Sequence, residues 1–91
     1  MNGIVIQNNA IKTDECILQN IAINANSYTE INTVLPLTKD GMKIMSAVFI
    51  CNLDAIVCSF SISNYSGLKV TAVNTAPVAQ TVDITVRALY A

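Results

Sequence analysis

The sequence predicts an all-β fold, a small antiparallel β-sandwich of about six to seven strands. Three observations predict it: apolar and polar residues alternate with period two, turn-forming residues separate the alternating runs, and no stretch carries a helical period. The 91 residues make one domain, 1–91, with residues 1–15 read as an N-terminal strand or a lead-in segment.

Taken in order, Ile4 and Ile6 mark a short opening strand. Ile17, Ile21 and Ile23 are expected to share one face, and Asn24 to Ser27 form a polar break before Ile31, Leu35 and Leu37. Lys39-Asp40-Gly41 carries the Asp-Gly pair of a tight hairpin, whose glycine adopts positive φ at little cost. After the turn at Asn52-Leu53-Asp54, Ile56, Cys58, Phe60 and Ile62 should point inward and Ser59, Ser61 and Ser63 outward. Asn64-Tyr65-Ser66-Gly67 is a second turn, and Leu68, Val70 and Ala72 then alternate with Lys69 and Thr71. Asn74 to Pro77 opens a loop in which Pro77 has no amide to give to a ladder. In the last run Val82, Ile84, Val86, Ala88 and Tyr90 face in, against Thr81, Asp83, Thr85 and Arg87.

One strand departs from the pattern. Between Lys43 and Cys51, Ile44, Val48 and Ile50 are placed on one face and Met45, Ala47, Phe49 and Cys51 on the other. Both faces are apolar, so both call for cover. A two-layer sandwich covers only the inner one. A loop or the N-terminal segment is one cover for the other face; a second subunit is the one favoured here, with Met45, Ala47, Phe49 and Cys51 as candidate contact residues.

Composition narrows the function. Charged residues make up 12% of the chain and the net charge is −1, against about 25% charged residues in ordinary soluble domains. Five scattered basic residues form no stripe able to neutralise phosphates, which argues against nucleic acid. The longest strictly apolar run, Ala47 to Cys51, is far below the ~20 residues of a membrane helix. Met1-Asn2-Gly3 does not open a signal peptide.

Histidine is absent, and with it the commonest general base, the commonest zinc ligand and the Ser-His and Cys-His nucleophile pairs. Asp14 and Glu15 are neighbours that point apart, while Glu30, Asp40, Asp54 and Asp83 lie on separate segments. Three glycines build no phosphate-cradling loop. No enzyme, cofactor or metal is expected. The three cysteines, Cys16, Cys51 and Cys58, are odd in number and lack metal-ligand spacing. A tight hairpin at 52–54 sets Cys51 opposite residue 56 and Cys58 opposite residue 49, so all three are expected reduced, with Cys58 a small buried filler.

Binding therefore falls to exposed side chains. Tyr28, Tyr65 and Tyr90 are the tyrosines, and a rigid aromatic ring at a turn suits a contact. Tyr90 has inward parity and belongs to core or interface, leaving Tyr65 and its neighbour Asn64 as candidates. Asn64-Tyr65-Ser66 also fits a glycosylation acceptor, but without a secretion signal a plain polar turn is the favoured reading. Arg87 points outward, free to meet a sugar hydroxyl or carboxylate, to stay solvated, or to form a subunit ion pair.

The order of segments resembles a known family. Ile23-Asn24-Ala25-Asn26-Ser27-Tyr28-Thr29-Glu30 precedes Val34-Leu35-Pro36-Leu37, followed by Met45-Ser46-Ala47-Val48-Phe49-Ile50. Next come Ser61-Ile62-Ser63-Asn64-Tyr65-Ser66-Gly67-Leu68-Lys69-Val70-Thr71-Ala72 and the closing Ile84-Thr85-Val86-Arg87-Ala88-Leu89-Tyr90-Ala91. Over roughly residues 17–91 this resembles the β-sandwich at the C-terminal tips of bacteriophage tail fibres, which is similar to the H-type lectin fold. The family's last strand often carries a tryptophan and ends in glycine, where this chain has Arg87 and Ala91. The resemblance implies a homotrimer on a virion that binds a bacterial surface carbohydrate, with Asn64, Tyr65 and Arg87 as candidate contacts. The alternative is a purely structural trimerisation or virion-decoration module without a ligand.

Overall fold

Seven strands lie within residues 11–62 and 67–91, the residues that a computed structural model of the chain describes: β1 Lys12–Ile23, β2 Ser27–Pro36, β3 Thr38–Lys39, β4 Met42–Cys51, β5 Ile56–Ser61, β6 Gly67–Asn74 and β7 Gln80–Tyr90. They form two antiparallel sheets, one of four strands in the order β1-β7-β4-β3 and one of three in the order β2-β6-β5. The expected all-β, two-sheet architecture is therefore present.

The alternation of β6 and β7 explains why these two strands lie at the centre of their sheets. Leu68, Val70 and Ala72 from β6 meet Val82, Ile84, Val86, Ala88 and Tyr90 from β7, and all are fully buried. A strand flanked on both edges withdraws its apolar face from water only if the opposite sheet covers it, and here each central strand covers the other. Flanking strands supply a half-buried ring around this core, including Cys16, Leu18, Ile21, Ile44, Phe49 and Phe60.

Of the four chain crossings between the sheets, one lies at Leu37 at one end and three gather at the other, at 24–26, 52–55 and 75–79. Backbone bonds tie these three: Asn26 N–H donates to Ala76 O at 3.0 Å and Thr75 N–H to Ala55 O at 2.9 Å. Asn74, fully buried, clamps this end. Its Nδ2 donates to the carbonyls of Ile23, Asn24 and Val78 at 3.1, 3.2 and 2.9 Å, and its Oδ1 accepts from Ala76 N–H at 3.0 Å. At the other end Asp40 and Gly41 both take positive φ, 51° and 80°, in the two-residue turn of the β3–β4 hairpin, as the Asp-Gly pair predicts. The hairpin folds back over the inner side of the sheet. Lys12 reaches Asp40 at 3.0 Å, Lys39 reaches Asp14 at 3.4 Å, and the Tyr90 hydroxyl donates to Pro36 O at 2.7 Å.

Several sequence expectations are corrected. Ile17 does not share a face with Ile21 and Ile23, because the register of β1 on β7 shifts between Leu18 and Ile21. Asn20 takes φ of 56° there, and Ile17 turns outward to 58% exposure. A second shift, between Ile44 and Ser46, exchanges the faces of Ile44 and Met45. Ile44, Ala47, Phe49 and Cys51 therefore pack inward and Met45, Val48 and Ile50 outward. The turn at 52–54 does not make a hairpin: β4 and β5 belong to different sheets, so the expected 51–56 and 58–49 pairings are absent. Ile62 follows the end of β5 and is exposed. The opening strand at Ile4 and Ile6 lies outside the described residues.

Candidate functional site

The surfaces available for contact are the two outer sheet faces, and cross-strand register orders each into rows. On the four-stranded sheet, Ile17 pairs with Thr85 and Thr85 with Ile50. In the next row Glu15 pairs with Arg87 and Arg87 with Val48, and beyond it Thr13 pairs with Leu89 and Leu89 with Ser46. Ile17, Met45, Val48 and Ile50 are all large apolar side chains left open to water, Ile50 at 56%. The charges in the middle of this face neutralise each other: Arg87 donates from Nε and Nη2 to Glu15 Oε1 at 3.0 and 2.9 Å.

The three-stranded sheet differs. Its row Tyr28–Val73–Val57, next to the crossing loops, is apolar and exposed, with Tyr28 at 63%. The rows Glu30–Thr71–Ser59 and Asn32–Lys69–Ser61 that follow are polar, and beyond them Val34 on β2 stands 90% exposed. Lys69 Nζ stands 3.9 Å from Glu30, a loose surface pair.

These placements sort the sequence candidates. Of the four proposed subunit contacts only Met45 stands on an outer face. Ala47, Phe49 and Cys51 are half-buried against the core because of the bulge beside Met45. Arg87 points outward as read, and its guanidinium is engaged by Glu15 of the same chain. Asn64 and Tyr65 lie outside the described residues. Tyr90 is core. Tyr28, named among the tyrosines but not chosen, is the exposed tyrosine among the described residues; its place beside the turn at Asn26 was the available signal.

The three thiols are free. Burial, reinforced by Asp14 and Glu15, pushes the Cys16 thiol up, and burial with Cys51 nearby does the same to Cys58, so both are held protonated and are poor nucleophiles at neutral pH. Burial, then Asp14 and Cys16, likewise raises the Tyr90 phenol. The Lys12 ammonium bonded to Asp40 holds that carboxyl below its usual range. Among the described residues there is no pocket, no group of three metal-ligating side chains, and no helix long and apolar enough to cross a membrane.

Comparison with known proteins gives no relative: the chain matches no family, no curated protein and no solved structure.

Proposed function

We propose that this chain is a non-catalytic tip domain of a phage fibre or adhesin, which assembles as a homotrimer and binds a bacterial surface carbohydrate. The observation that carries the assembly is the outer face of the four-stranded sheet. Ile17, Met45, Val48 and Ile50 stand open on it, around a Glu15–Arg87 pair already neutralised within the chain. Burying half-exposed aliphatic side chains of this size stabilises association by about 1 kcal/mol each. A paired charge enters an interface at far lower desolvation cost than a lone one. The carbohydrate part is supported by the segment order shared with fibre tips and by a second face rich in Ser, Thr and Asn with an exposed tyrosine.

A second reading, a trimerisation or decoration module without a ligand, is favoured by one observation: Arg87, a candidate sugar contact, is engaged by Glu15. Two measurements decide. Binding of the assembled protein to an array of bacterial surface polysaccharides supports the fibre-tip reading, and silence from a correctly assembled oligomer removes it. Tyr65→Ala should leave assembly intact and abolish adsorption to host cells; unchanged adsorption favours the structural module.

A further inference from the structure

The way the chain leaves β4 and enters β5 fixes which side chains meet between the sheets. Ile56 N–H donates to Leu53 O at 3.2 Å, so the chain reverses at Asp54 and Ala55. Because β4 and β5 belong to different sheets, this reversal is an arch. Residues equally far from its bend meet through their side chains across the interior, where a hairpin would join them by backbone bonds. Period two then sets the order of meeting: Leu53 with Ile56, Cys51 with Cys58, Phe49 with Phe60. All six belong to the core cluster or pack against it. A hairpin at the same place would set Cys51 opposite residue 56; the crossing sets it opposite Cys58.

Further geometry agrees. Cys51 pairs with Ile84 on β7 and Cys58 with Ala72 on β6, both fully buried on the facing central strands. β4 and β5 bring Cα atoms within 8 Å of each other. A disulfide spans about 4.4–6.8 Å between Cα atoms. β5 is the margin of its sheet, with no strand on its far edge among the described residues to resist a small shift. After burial, it is Cys51 that pushes the Cys58 thiol up, as a close neighbour would. Both sulfurs are half-buried, so neither is sealed from a small solute. Cys16 stands apart: it is on β1, across β7 from β4, in the row of Val86.

We infer that Cys51 and Cys58 are a redox pair, which closes into a disulfide across the arch when a small-molecule disulfide such as oxidised glutathione is present. The thiolate of one cysteine attacks a sulfur of the reagent, forms a mixed disulfide and expels one glutathione thiolate. The second cysteine gives up its proton and attacks the protein-bound sulfur, expelling the other glutathione. Two protein thiols are oxidised, the S–S bond of the reagent is reduced, and both protons end on the two glutathione thiols. The new bond joins β4 of one sheet to β5 of the other. It stays open in a reducing compartment and closes in an oxidising one. This pairing goes beyond the tip-domain assignment and does not rest on it.

The test treats the folded, intact chain with oxidised glutathione at mildly alkaline pH, where more of each thiol is ionised. The chain is then unfolded and its remaining thiols are blocked with an alkylating reagent. Cys51 and Cys58 should escape the label together, with two hydrogens lost from the chain and no glutathione on either. Cleavage before each aspartate separates 40–53 from 54–82. The two fragments should stay joined until a reductant parts them. Cys16→Ser should close the same bond, and Cys58→Ala should yield no joined fragments. Wild-type protein that keeps all three thiols open to the label overturns the inference. So does glutathione carried separately on Cys51 and Cys58, a bond to Cys16, or a bond between two chains.

Discussion

The two outer faces are built from the same material, strands that alternate with period two around a shared core, yet they meet water differently. On the three-stranded sheet the outward positions include Glu30, Asn32, Ser59, Ser61, Lys69 and Thr71, and apolar side chains are open at its two ends, in the row Tyr28–Val73–Val57 and at Val34. On the four-stranded sheet the flanking strands put Ile17, Met45, Val48 and Ile50 outward, beside Thr13, Glu15 and Ser46. The central strand β7 does not make the difference, because it offers Thr81, Asp83, Thr85 and Arg87 outward. The flanking strands decide where the apolar side chains stand: mid-face on the four-stranded sheet and at the two ends of the three-stranded one. The mid-face group is the surface that the proposed assembly buries.

Breaking the interior shared by both faces gives the largest effect. Asn74→Ala orphans three carbonyls at the crossing end, and thermal or denaturant unfolding should record a loss of about 3 kcal/mol. A loss under about 1 kcal/mol contradicts the clamp. Next comes Ile50→Lys, which should weaken self-association about tenfold, read by light scattering, while its melting temperature stays at the wild-type value. Asn32→Lys, the matching change on the polar face, should alter neither quantity; equal effects from the two lysines erase the distinction between the faces.

Smaller effects sharpen the picture. The Glu15–Arg87 pair is half-exposed, so Arg87→Ala should change stability by no more than about 1 kcal/mol. The last prediction concerns pH. Cys16, Cys58 and Tyr90 titrate above their ordinary values of 9.0, 9.0 and 10.0 in the folded chain. The folded state therefore releases these protons later than the unfolded state. Their contribution is complete below pH about 9 and is lost as pH rises through the folded values. Melting temperature should fall on the alkaline side, and Cys58→Ala should make that fall shallower.

Much of this was legible in the sequence, and the failures share a cause. β6 and β7 follow strict alternation without interruption, and every inward residue read from them is buried. Asp40-Gly41 announces its turn because only residues tolerant of positive φ fit there. Ile17 and the pair Ile44 and Met45 were misplaced because one extra residue in a strand reverses the parity of everything after it. Such a bulge depends on the partner strand, which local alternation does not reveal. Asn20, an asparagine at φ 56°, was the one local hint. The link 52–55 failed for a related reason: four residues serve a hairpin or a crossing between sheets equally well. The apolar excess of β4 was legible in the sequence, but which of its residues face outward was not.

The mass of the intact chain in solution, measured from micromolar concentration upward, tests the core of this account. A particle several times the 9.8 kDa of one chain, broken down by lysine at Ile50, is what an open greasy sheet demands. A species that stays at the single-chain mass throughout, with Ile17, Val48 and Ile50 in water, contradicts it.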